Sequence, residues 1–142
     1  MALYSVAVRT TGVTNATAAW EIRTAATDRG YVMEIGVFMA AATASTYGIG
    51  RPAAIGVTPT SPVTVIAEDP GNPAGTVTSA LAWGTGPTAP ATFFRRISLP
   101  ATIGTGVIWT FPRGLVIGVS NSIVLWNLAT NGVVDAYAII DE

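Results

Sequence analysis

The segment FPRGLVIGVSNSIVLWNLATNGVVDAYAII, from Phe111 to Ile140, constrains the fold most, because its apolar residues occupy both sides of an extended chain. On a strand, Val133, Asp135, Tyr137 and Ile139 share one side and Val134, Ala136, Ala138 and Ile140 the other. Ser122, Val124, Trp126 and Leu128 likewise oppose Ile123, Leu125 and Asn127. Gly, Asn, Thr or Arg interrupts every apolar run well before the ~18 residues of a membrane span. The pieces therefore read as strands separated by PRG, SN and ATNG. A free antiparallel sheet normally keeps one polar face, so strands apolar on both faces call for cover on both. In a helix-free domain of 142 residues, the second cover is expected to come largely from another chain.

The rest of the chain carries the same texture. Tyr4, Val6 and Val8 alternate with Ser5, Ala7 and Arg9 as a first strand, followed by a loop over TTGVTNAT. Trp20 and Ile22 against Glu21 and Arg23 make a second, and GYVMEIGVFMAA a third. Between Ser45 and Pro90 lie seven of the nine prolines and many glycines, predicting long loops with one or two edge strands. FFRRISL, GVIWTF, GLVIGV, SIVLWNL and GVVDAYAII then follow as strands. About eight antiparallel strands in one domain, 1–142 with a loop-rich insertion over 45–90, predict a jelly roll or a small β-barrel or sandwich.

Composition excludes more than it suggests. His and Cys are absent, which removes disulfides, thiolate nucleophiles, histidine bases and nearly every transition-metal site. Ser and Thr have no side-chain base of the common kind to activate them, so no enzyme, cofactor or metal is expected. Charged residues make up 11%, against about 25% in ordinary domains. Net charge is −1, and the basic residues are all Arg, without a cluster beyond Arg95 and Arg96, so nucleic acid is not an expected partner. With neither an export signal nor a membrane span, the chain reads as soluble and made in the cytoplasm.

Six residues stand out as candidates for an oligomer or partner interface: Tyr47, Arg51, Trp83, Arg95, Arg96 and Arg113. The glycine-rich YGIGRPAAIG lacks both the GK[ST] ending and the G-x-G-x-x-G spacing of phosphate loops, so it reads as a structural loop. Within it Arg51 is expected to anchor the loop to a carboxylate. Alternation sends Arg95 and Arg96 to opposite faces, Arg95 with the apolar set and tied to Glu34, Glu21 or Asp135. Trp83 is the one tryptophan expected outside the core, and Glu68-Asp69 reads as a solvated turn.

The passages IGRPAAIG, FFRRISLPATIGTGVIWTFPRGLVI and SIVLWNLATNGVVDAYAIIDE resemble small structural proteins of tailed bacteriophages, in particular jelly-roll capsid decoration, or cement, proteins. The resemblance covers the C-terminal two thirds and rests on texture. It implies a homotrimeric β-barrel on the capsid exterior that bridges major capsid subunits and stabilises the virion, with the Ser45 to Pro90 region or the first residues as a clamping arm. Two other readings stay open. One is a carbohydrate-binding module on a virion or cell surface, using Trp83, Tyr47 and loop carboxylates, and the other is a head-tail connector or tail ring subunit.

Overall fold

Period-two alternation of β-branched residues produces strands wherever no proline or turn residue interrupts it, and a computed structural model shows where they pair. It describes residues 2–12 and 16–142, so part of the loop expected over TTGVTNAT, residues 13–15, lies outside the described residues. Among the described residues there are thirteen strands, all paired antiparallel, and no helix. They are β1 Leu3–Arg9, β2 Ala18–Arg23, β3 Gly30–Met39, β4 Ser45–Gly50, β5 Val57–Pro59, β6 Pro62–Val63 and β7 Ile66–Ala67. Then follow β8 Thr78–Ala80, β9 Trp83–Thr85, β10 Phe93–Leu99, β11 Gly106–Ile117, β12 Ser122–Asn127 and β13 Val134–Asp141.

A five-stranded sheet in the order β11-β3-β13-β1-β7 packs on a six-stranded sheet in the order β10-β4-β12-β2-β8-β6. The sheets keep open edges, so the architecture is a β-sandwich and the closed-barrel alternative falls away. One core joins them. Val6, Val37, Ala138 and Ile140 from the first meet Trp20, Ile22, Ile49, Ile123 and Leu125 from the second. Each such side chain contributes about 1.5–3 kcal/mol by leaving water. Several polar side chains inside are paired: Trp20 Nε1 donates to Ser79 Oγ at 2.6 Å, and Asn131 Nδ2 donates to the Thr46 carbonyl at 2.7 Å and to Asn127 Oδ1 at 2.9 Å. The asparagines fasten the turn after β12 onto β4, which satisfies backbone that would otherwise be buried unpaired.

Three expectations change. Ser45–Gly50 is no loop or edge but a central strand, flanked by β10 and β12. Its glycines misled because they read as breakers; they are small because the Phe93 ring lies where a Cβ of Gly48 would point, 2.5 Å away, and Pro90 does the same at Gly50, 2.6 Å away. GVIWTF and GLVIGV are not separate strands but one, β11, with Phe111 to Gly114 bulged out between Thr110 and Leu115 and Gly114 at φ +69. A second bulge at Phe94 breaks the simple alternation of FFRRISL, so Phe93 pairs with Gly50 on the outer face, the face that Arg96 shares beside Gly48.

The largest change concerns cover. On the outer face of the six-stranded sheet Glu21, Ser122 and Val124 are fully buried and Trp126 nearly so. Their cover is the chain itself. The two-stranded sheet of β5 and β9 holds Trp83 against Gly56, Glu21 Oε1 accepts from the Gly56 N–H at 3.0 Å, and Arg23 Nη1 donates to the Gly56 carbonyl at 3.0 Å. Leu81, Trp83, Gly86 and Pro87 line a hollow with Trp126. The β5–β9 part of the proline-rich region thus folds back over this face, and Ala2 and Glu142 exchange both backbone hydrogen bonds.

Candidate interaction surface

Among the described residues no segment forms a strand or helix over the outer face of the five-stranded sheet, opposite the core. Register places Ser5, Ala7 and Arg9 of β1, Asp135, Tyr137 and Ile139 of β13, Glu34, Gly36 and Phe38 of β3, and Ile108 of β11 on this face. The Tyr137 ring lies flat over Gly36, where any Cβ would be 2.1 Å from it, and stacks on Phe38 with ring centroids 6.5 Å apart. Tyr137 donates to Glu34 Oε1 at 2.5 Å, and this bond holds its phenol above the usual value. Around the rings, Ile66, Ile108 and Leu3 are 60%, 51% and 44% exposed. The charge on this face is partly spent internally: Arg9 grips Asp135 through two bonds of 2.6 and 2.7 Å, which raises the guanidinium and holds the carboxyl below its usual range.

A second surface lies where β10 and β11, each ending its own sheet, run along one side of the sandwich. Three arginines stack on three phenylalanines there: Arg51 over Phe94 at 4.8 Å, Arg95 over Phe111 at 5.4 Å and Arg96 over Phe93 at 5.8 Å. The expected carboxylate partners are absent. Arg51 Nη2 donates to the Val116 carbonyl, tying the loop after β4 to β11, and Arg95 Nη1 donates to the Phe94 carbonyl at 2.8 Å. Glu21, Glu34 and Asp135, proposed for Arg95, are held by Gly56, Tyr137 and Arg9 instead. Arg113, carried out by the β11 bulge, is exposed between two shallow hollows, one shared with Arg95 and Phe111 and one with Tyr31, Met33 and Asp141.

Of the six residues singled out from sequence, Arg51, Arg95 and Arg113 thus converge on one edge, with Arg96 stacked on Phe93 next to them. Tyr47 does not join them. It is fully buried in the core, donates to the Gly132 carbonyl at 2.8 Å, and burial pushes its phenol up to about 12. Trp83 is half-buried and turned inward on Gly56, with its Nε1 buried, so it offers no open aromatic shelf. Glu68 and Asp69 do form a turn at β7, Glu68 accepting from Ser5 Oγ at 2.5 Å and Asp69 from the Gly71 N–H at 2.8 Å. The sequence reading missed Ile108, Phe38 and Leu3; their signal was large apolar residues on the parity opposite the core.

Among the described residues no three Asp or Glu side chains gather closely enough to hold a metal ion. No protein-family model, curated protein or solved structure matches the chain.

Proposed function

We propose that the protein is a non-enzymatic structural subunit of a phage virion, a decoration protein that associates with copies of itself, as a trimer, and seats on the exterior of the head across neighbouring major capsid subunits. The observation that carries this reading is the open face of the five-stranded sheet. Its centre is the Phe38–Tyr137 stack with Ile108, Leu3 and Ile66 exposed around it, a surface whose burial against another protein yields about 25 cal/mol per Å² of apolar area before association costs. Repeated at every symmetric site of a shell, a modest gain per contact becomes large. The carbohydrate-module reading loses support, because Trp83 packs inward and Tyr47 is in the core.

The test is sedimentation of the purified protein with shells of its phage that lack it, followed by melting of the shells. Wild type is expected to co-sediment and raise the shell melting temperature, and Ile108→Glu, which places a charge on an exposed position of the face, to lose both while melting normally by itself. Wild type that stays in the supernatant rejects the decoration reading.

A further inference from the structure

The charges of this chain are segregated in a way that its own fold leaves unresolved. It has seven arginines and eight carboxylate side chains, yet among the described residues one ion pair forms, Arg9 with Asp135. Arg51, Arg95 and Arg113 gather at the β10/β11 edge and find only carbonyls, phenylalanine rings or solvent. Glu68 and Asp69 stand at β7, the opposite edge of the five-stranded sheet, and their hydrogen bonds come from Ser5 and Gly71, not from a cation. Asp141 stands on β13, the middle strand of the sheet, and lines the hollow beside Arg113 without forming an ion pair with it. Four strand spacings of about 4.8 Å put roughly 19 Å between the two edges, so one copy cannot bring them together.

We propose that the arginine edge of one copy receives the Glu68–Asp69 corner of a second copy, head to tail. The inference deepens the structural-subunit reading and rests on it for the need to self-assemble. Each side has an apolar element beside its charges: Phe94 and Phe111 under the guanidiniums, and exposed Ile66 and Leu3 beside the carboxylates. That is the composition of an interface with a dry centre and a charged rim. Stacking on the rings holds the guanidiniums in place, which lowers the entropy lost when a carboxylate is gripped. Continuous strand addition is blocked on β11, since Pro112 has no N–H and the bulge breaks the edge, so the contact is made through side chains and its register is set by charge. A patch that meets a different patch on its neighbour is a heterologous contact, and rings such as trimers close through contacts of this kind.

The experiment is light scattering on the full chain at low and high salt, with two double variants, R95E/R113E and E68R/D69R, whose melting curves report folding. These positions are exposed apart from their surface contacts, so both variants are expected to melt like wild type. Wild type is expected to associate at low salt and to lose about tenfold or more in apparent affinity at high salt. Each variant alone is expected to be a monomer, and an equimolar mixture to associate again, because one now carries two acidic edges and the other two basic ones. Variants that associate as wild type does overturn the proposal and leave shell binding, read by sedimentation, untouched. A monomeric wild type whose R95E/R113E variant fails only to sediment with shells also overturns it, and assigns the edge to an acidic segment of the shell protein.

Discussion

At the scale of single residues, the fold is held by a few side chains whose neighbours leave no slack. Tyr47 is one: its buried phenol donates to the Gly132 carbonyl, so Tyr47→Phe is expected to cost about 0.5–1.5 kcal/mol in denaturant unfolding. The same residue sets an alkaline limit. A phenol that ionises near ~10 in the unfolded chain and near about 12 in the folded one favours folding fully below the first value. That contribution is lost as pH rises through the second. Phenolate absorbance followed with circular dichroism should show a late ionisation that coincides with unfolding and is missing in Y47F; its persistence in Y47F would refute the assignment. Gly36 is the other. Gly36→Ala would put a methyl into the Tyr137 ring, displacing it from Phe38 and Glu34 at a cost of about 1–3 kcal/mol, read by denaturation and by near-UV dichroism of the aromatic pair.

At the scale of elements, the proline-rich region does work that its sequence texture conceals. The β5–β9 pair and the segments beside it shield Val124 and Trp126 of β12, pinned at Gly56 by Glu21 and Arg23. Trp83→Ala should therefore destabilise the domain by about 2 kcal/mol, less than the ~3–5 kcal/mol of a fully buried tryptophan because Trp83 is only half-buried. Hydrogen exchange separates this from a general loss: amides of Ser122–Asn127 should open faster in W83A while those of β13 keep their protection. Equal acceleration in both would mean that Trp83 supports the sandwich as a whole and not its cover. The β11 bulge has the opposite character. It contributes nothing to the ladder between Thr110 and Leu115, and its product is the placement of Arg113 outside the edge.

At the scale of the whole molecule, stability and association should answer to different variables. The one ion pair among the described residues, Arg9 with Asp135, is exposed at 68% and 49%, so the unfolding midpoint is expected to change little with salt. Acid weakens it only slightly. The Asp135 carboxyl is held below its usual value in the folded state, so its stabilisation is present above the unfolded value and fades as pH falls through the folded one. The self-association proposed above would rest on unpaired charges at opposite edges and should fall steeply with salt. Calorimetry and light scattering over one salt series test both statements, and an unfolding midpoint that moves with salt in a monomeric variant would contradict the first.

What local sequence determined is what depends on nearest neighbours. The all-β class, the alternation of β1 and β13, the two faces of β12 and the turn at Glu68-Asp69 all follow from period two and turn chemistry, and all are present. Tertiary structure decided what depends on distant residues. Gly48 and Gly50 look like loop residues until Phe93 and Pro90 are seen against them, and Arg95 looks like an ion-pair partner until Glu21, Glu34 and Asp135 are seen to be taken by Gly56, Tyr137 and Arg9. Apolar residues on both parities state that both faces of a sheet need cover, but not what supplies it, because burial is non-directional. The chain covers one sheet with its own proline-rich segments and leaves the other open, and only packing in three dimensions assigns which.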